Sequence, residues 1–255
     1  PDDVTAAIER AEKEEPWDGA KKILSLLGDN VRIASEKMLP VCQDTGMACV
    51  FLELGQDVHI DGNIEEAVNN GVRRGYGDGY LRKSVVCDPL RRVNTGDNMP
   101  ALLSVKLVPG ESLRITVMPK GFGSENMSAL KMLKPADGVE GVKRFILETV
   151  EKAGANPCPP IIVGVGIGGS FDKAAYLAKH ALLRPLDEPN HDEYYAALEK
   201  ELLSGINALG IGPQGFGGKT TALAVLIESM PTHVAGLPVA VNISCHATRR
   251  KSASL

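Results

Sequence analysis

Aromatic side chains are scarce. Tyr, Phe and Trp make up 4% of 255 residues, with 1 Trp, so a core must rely on Val, Ile, Leu and Ala. No apolar run approaches the ~18 residues of a membrane-spanning helix. No signal peptide opens the chain, which begins Pro1-Asp2-Asp3-Val4 and is acidic. Positive charge is not in excess: 28 Lys and Arg stand against 32 Asp and Glu, for a net charge of −4. Neither nucleic acid nor an anionic membrane is therefore expected as a partner. There is no C-x-x-C pair, which speaks against a zinc ribbon or a ferredoxin. The five cysteines, Cys42, Cys49, Cys87, Cys158 and Cys245, are odd in number and widely scattered, unlike a disulfide framework. A reducing cytoplasm is the expected compartment, with some thiols free for metal. Cys49 and Cys87, in or beside apolar runs, read as packing residues. Repeats and low-complexity tracts are also lacking.

What is present is an ordinary globular balance of 44% apolar and 24% charged residues. Helical periodicity marks Val4 to Glu14, Trp17 to Lys37, Ile64 to Arg74, Val139 to Ala153, Phe171 to Leu183, His191 to Leu209 and Thr220 to Met230. Strand patterns mark Ala48 to Leu54, Val58 to Ile60, Ile161 to Val165 and Leu237 to Ile243. Leu102 to Val108 and Ser112 to Met118 read as a hairpin around Pro109-Gly110. The fold class is mixed α/β: one domain over residues 1–255, with helices around mixed and hairpin β-sheets. Chain start and first helix coincide, which leaves room for residues upstream.

The densest chemistry lies in Pro40-Val41-Cys42-Gln43-Asp44-Thr45-Gly46. A thiol, an amide and a carboxylate stand side by side in a turn, and a turn can aim several side chains at one point. The plainer alternative is a turn with a half-buried cysteine and a capping aspartate. Tyr76 to Arg82 is a glycine-rich loop ending in a base. Lys120-Gly121-Phe122-Gly123-Ser124-Glu125-Asn126 follows a strand and opens a helix that Ser124 or Asn126 can cap. That arrangement suits a carboxylate or phosphate, or is an ordinary capped turn. Gly164 to Gly169 satisfies G-x-G-x-x-G formally but lacks an acidic residue ending a second strand, so a dinucleotide is not expected. Gly215 to Thr221 imitates a phosphate-binding loop, yet Pro213 stands where its first glycine belongs. A nucleotide-binding protein is thus the remoter alternative, though the amides at a Thr220 helix start could hold an anionic substrate. Cys158 sits between prolines in Asn156 to Pro160, and Cys245 in Ser244-Cys245-His246 after the last strand.

Together, CQDTG, KGFGSEN, GGKTTAL and SCHATRR, in that order, resemble the α subunit, or N-terminal catalytic half, of class I fumarases and L-tartrate dehydratases. The resemblance covers nearly all of the chain from residue 40. It implies an oxygen-sensitive iron–sulfur hydro-lyase with a 4Fe–4S cluster on Cys42, Cys158 and Cys245. Three ligands for four irons leave one iron open as a Lewis acid. It implies Gln43, Asp44, Arg82, Gly121, Ser124 and Asn126 as contacts to a small dicarboxylate, Asp44 as a proton-transfer group and His233 as a second catalytic residue. The expected activity is hydration of fumarate to (S)-malate, with L-tartrate dehydration the alternative. The family's swivelling second domain has no counterpart here, so a β subunit and a higher oligomer such as a heterotetramer are implied. Met127 stands where many relatives carry a base.

Overall fold

The computed structural model describes residues 1–255. In chain order the helices and strands are α1 (Asp2–Glu14), α2 (Asp18–Glu36), β1 (Met47–Gly55) and α3 (Ile64–Asp78). Next come β2 (Leu102–Val108), β3 (Leu113–Lys120), the single turn α4 (Phe122–Glu125) and β4 (Ala129–Leu133). The chain continues with α5 (Gly138–Ala153), β5 (Ile161–Gly169), α6 (Phe171–Ala181) and α7 (Glu193–Ala208). It ends with β6 (Ala222–Thr232), β7 (Leu237–Ser244) and β8 (Lys251–Ser254). The class is mixed α/β, as expected, with seven α-helices and two four-stranded sheets. No helix is long and apolar enough to cross a membrane.

Two compact units are present. The first comprises residues 38–122 and 248–255 with Pro1. Its sheet has the order β2-β1-β3-β8. The expected hairpin of β2 and β3 does not form, because β1 lies between them. β1 pairs parallel with β2 (Cys49 opposite Leu102) and antiparallel with β3 (Met47 opposite Lys120). The Pro109-Gly110 turn instead caps the end of β1, where Gly55 N–H bonds Ser112 O and Asp57 N–H bonds Gly110 O. α3 lays Val72 and Tyr76 on Ala48 and Val50 of the sheet. Asn63 caps α3 by accepting from Glu66 N–H at 3.1 Å. Val58–Ile60 forms no strand.

The second unit comprises residues 2–37 and 123–247, around a sheet of order β4-β7-β5-β6. Val163, Val165 and Ile167 of β5 pack with Phe145, Ile146 and Val150 of α5 and Leu198, Leu202 and Ile206 of α7. The alternate residues of β5 are Gly164 and Gly166, and they receive α6. A Cβ on Gly166 would lie 2.1 Å from Ala174 O, and one on Gly164 2.1 Å from Ala178 O. Ala174, Ala178 and Ala240 complete that seam. The glycine run therefore lies within a strand, and its glycines admit a helix. The segment from Thr220 to Met230, read as a helix, is mostly strand β6. Its apolar run is covered on both sides, and such a run carries no period that separates strand from helix.

The two glycine environments predict opposite effects. Gly166→Ala forces a methyl group into backbone and is expected to cost ~3 kcal/mol or more, as other overpacked cores do at the upper end. Gly71→Ala in α3, where a Cβ meets nothing within 4 Å, should stabilise by ~0.5–1 kcal/mol. Urea unfolding of both variants against the parent chain measures the contrast.

Candidate active site

In the first unit the Cys42–Gly46 turn is held by contacts from several parts of the chain. Cys42 is a free, half-buried thiol whose Sγ lies 3.5 Å from Gln43 Oε1. The Asp44 carboxylate accepts two backbone N–H groups, Gly46 on Oδ1 at 3.0 Å and Phe122 on Oδ2 at 2.9 Å. Asp44 thus does cap its turn, and it also joins that turn to the one at Gly121. Pairing of Met47 with Lys120 sets this adjacency. Gly46 is required there: its φ is +67°, and a Cβ would lie 2.2 Å from Lys120 O. Gly121 is also tightly placed, since its Cβ would stand 3.1 Å from Asp44 Oδ2.

The carbonyls of the turn are held by side chains. Arg249 Nη2 donates to Asp44 O at 2.9 Å. Tyr76 OH donates to Thr45 O at 2.7 Å, and Asn98 Nδ2 donates to Gly46 O at 3.0 Å. Burial pushes the Tyr76 hydroxyl up to about 12, so it stays a neutral donor. Thr45 Oγ1 donates to Arg82 O at 3.0 Å, which ties the Arg82 loop to the turn. Gln43 and Arg82 are exposed. Sequence reasoning missed Tyr76, Asn98 and Arg249 as supports; Arg249 stood within the SCHATRR block, while Asn98 carried no local signal.

In the second unit the antiparallel register of β5 and β7, Ile162 opposite Ser244, brings the start of β5 beside the end of β7. Cys158 precedes the first and Cys245 follows the second. His246 Nδ1 lies 3.0 Å from Cys158 O. The same nitrogen lies 3.2 Å from Gln214 Nε2. Gln214 donates to Pro159 O through both its backbone N–H (2.8 Å) and Nε2 (2.7 Å). Cys158 is exposed and has φ +55°, a left-handed conformation that non-glycine residues adopt rarely and that Asn98 and Gln214 share here. Cys245 is half-buried and in no disulfide.

Other expectations change. His233 does not lie beside Cys245. It sits in the β6–β7 connection, and the eight residues of β7 separate the two by ~25 Å at strand rise. His233 is exposed at a pocket of about 400 Å³ shared with Thr232, Tyr194 and Tyr195, and its Nδ1 accepts from Ala235 N–H at 3.2 Å. The helix after KGFG is one turn, followed by β4, so no long helix dipole acts there. Ser124 is buried and Asn126 exposed, while Glu125 pairs with Lys179 and accepts from Asn242 Nδ2. Cys49 is buried as expected, but Cys87 is exposed and is not a packing residue. No three or more His, Cys, Asp or Glu side chains are gathered as a metal-holding group.

The GGKTT segment begins no helix, and its amides already hold an anion. Lys219 N–H, Thr220 N–H and Thr220 Oγ1 donate to the Glu15 carboxylate at 3.0, 2.9 and 2.7 Å. A buried carboxylate of the chain itself occupies the cradle that a phosphate would need.

A family model described as "Fumarate hydratase (Fumerase)" matches residues 1–254. The chain belongs to the fumarate hydratase family. Within this family of hydro-lyases it is 47% identical to a Methanocaldococcus jannaschii protein provisionally named L(+)-tartrate dehydratase subunit alpha. That match covers 98% of this chain and 90% of the relative. It is 34% identical to the L(+)-tartrate dehydratase subunits alpha of Escherichia coli UTI89 and K12, over 98% of this chain and 84% of each. Cys42, Asp44, Cys158 and Cys245 thus lie in a fumarate hydratase family chain that has relatives named for tartrate.

Glu15 offers a test of its structural role. Burial works to raise its carboxyl, but the bonds from Lys219 and Thr220 outweigh that and hold it below the ordinary 4.5. A depressed carboxyl stabilises the fold above the unfolded value and loses that contribution as pH falls through the folded one. Glu15→Gln should cost ~2 kcal/mol at neutral pH. The gap in thermal stability between parent and variant should narrow as pH falls below 4.5.

Proposed function

We propose that this chain is the α subunit of a two-subunit iron–sulfur hydro-lyase that dehydrates L-tartrate to oxaloacetate. The carrying observation is the full-length similarity to chains named as that subunit. Hydration of fumarate to (S)-malate is the second reading, favoured by the description of the matching family model. Both reactions exchange a hydroxyl and a proton across adjacent carbons of a four-carbon diacid. A β subunit completes the enzyme, and the cytoplasm is its proposed compartment.

Cys42, Cys158 and Cys245 would hold a 4Fe–4S cluster. The donor chemistry is suitable: the three cysteines form no disulfide, none is fully buried, and His246, beside Cys245, reaches the Cys158 carbonyl. Such a cluster, when bound, supplies an open iron as a Lewis acid for a substrate hydroxyl. The chain's own groups must bind the diacid and move the protons. The exposed Arg82 guanidinium suits bidentate capture of a carboxylate, and Gln43 offers an amide beside Cys42. Asp44 is the proposed proton-transfer group. A carboxylate has ~4 lone-pair directions, so its two N–H bonds leave room for a proton. His233 receives no role, because β7 holds it far from Cys245.

Anaerobic iron and sulfide should load the chain with about four irons. Cys42→Ser, Cys158→Ser and Cys245→Ser should each abolish loading, while Cys49→Ser and Cys87→Ser retain it. Loading that survives all three substitutions would refute the ligand set. The loaded chain joined to its β subunit should turn over L-tartrate, and the α chain alone should not. A preference for fumarate selects the second reading.

Asp44→Asn keeps one acceptor oxygen and should lower kcat at least ~10²-fold in the assembled enzyme, with the cluster retained. Near-normal kcat would leave Asp44 with its turn-capping role alone.

A further inference from the structure

Three consecutive peptide carbonyls, those of Asp44, Thr45 and Gly46, each accept a hydrogen bond from a side chain of a different segment: Arg249, Tyr76 and Asn98. A turn has no ladder partners, so these carbonyls need donors from elsewhere. Two of the donors are neutral and well matched. Tyr76 has one hydroxyl and spends it on the turn. Asn98 gives Nδ2 to Gly46 O and accepts Ser84 and Val85 N–H on Oδ1 at 2.7 and 3.1 Å. Arg249 differs. Its Nη2 bonds Asp44 O, while Nε and Nη1 are buried with no acceptor.

Burying a guanidinium with two unmet nitrogens opposes stability, and an apolar chain of similar size would suit the fold better. What the cation adds is local. A charge-assisted bond to a peptide oxygen is shorter and stronger than a neutral one. Here it fixes the peptide of the one residue whose carboxylate oxygens are already bound by Gly46 and Phe122 N–H. Backbone and side chain of Asp44 are then held at three atoms.

We propose that Arg249 is a positioning residue: by holding the Asp44 carbonyl it fixes the Cys42–Gly46 turn and the direction of the Asp44 carboxylate. Its value for turnover rests on the proposed proton-transfer role of Asp44. Its effect on the turn does not, and the two are measured separately. Hydrogen–deuterium exchange is followed on the full chain before any iron is added, for the parent, Arg249→Met and Arg249→Lys. Arg249→Met should speed exchange of the Gly46 and Phe122 amides by ~10-fold or more, as expected for local opening, with an unchanged or raised Tm. Arg249→Lys, which can still donate to the carbonyl, should recover most of the protection.

In the assembled enzyme kcat should fall ~10–10²-fold for Arg249→Met with KM changed less than ~3-fold, and Arg249→Lys should lie between. Protected turn amides in Arg249→Met would overturn the proposal. So would faster exchange throughout the chain with a lowered Tm, which is the signature of a purely structural residue. If the assembled parent enzyme turns over neither diacid, the proposed function fails, and the exchange data still decide whether Arg249 holds the turn.

Discussion

The position of β1 in the middle of its sheet constrains everything around Asp44. Because β1 pairs antiparallel with β3, the residue before it and the residue after β3 share one end of the sheet. Met47 opposite Lys120 brings Gly46 against the Lys120 carbonyl so closely that no side chain fits there. The same register sets Phe122 N–H within 2.9 Å of the Asp44 carboxylate. The cysteine, amide and carboxylate of the CQDTG turn are therefore presented beside the KGFG turn by strand pairing. The loop bearing Arg82 follows through the bond from Thr45 Oγ1.

The second unit uses the same device with different parts. β5 and β7 run antiparallel, so residues entering β5 and leaving β7 share one end, which is where Cys158 and Cys245 stand. β5 and β6 run parallel, and Gly169 opposite Thr232 puts the His233 connection at the other end. Register alone thus sorts the chemistry-bearing residues of this unit: two cysteines at one end, the histidine at the other. The resemblance implied a catalytic role for His233, but most of the chain between it and Cys245 is an extended strand.

What the sequence made legible follows the range of the forces involved. Amphipathic helices such as α5 and α7 are written in local periodicity, and their limits lie within two residues of those expected. The parallel pairing of β1 with β2 is not local: nothing near Leu102 or Leu113 says that a strand from residues 47–55 will insert between them. β6 was misread because Ala222 to Ile227 is apolar on both faces, and a doubly covered strand loses its alternation. The motifs CQDTG and SCHATRR marked the candidate site. The donors supporting the turn from elsewhere were not marked, because Tyr76 reads as the start of a glycine-rich loop, although it lies in α3, and Asn98 carries no local signal.

Glycine-rich stretches invite ligand readings, and the structure separates them by asking what already fills each one. In β5 the space left by glycine is filled by the backbone of α6. At GGKTT the free amides are filled by Glu15, which is 2% exposed. At CQDTG and KGFG the amides of Gly46 and Phe122 are also filled by a carboxylate, that of Asp44, so the hydrogen-bond pattern is shared. The difference is access. Glu15 receives four donors, counting a weak one from Trp17 at 3.5 Å, and is sealed from solvent, so its work ends with the fold. Asp44 receives two, stays half-buried and stands two residues from a free thiol. A carboxylate aimed by its backbone yet left with open lone pairs can take up and release a proton, which is what the role proposed for Asp44 requires.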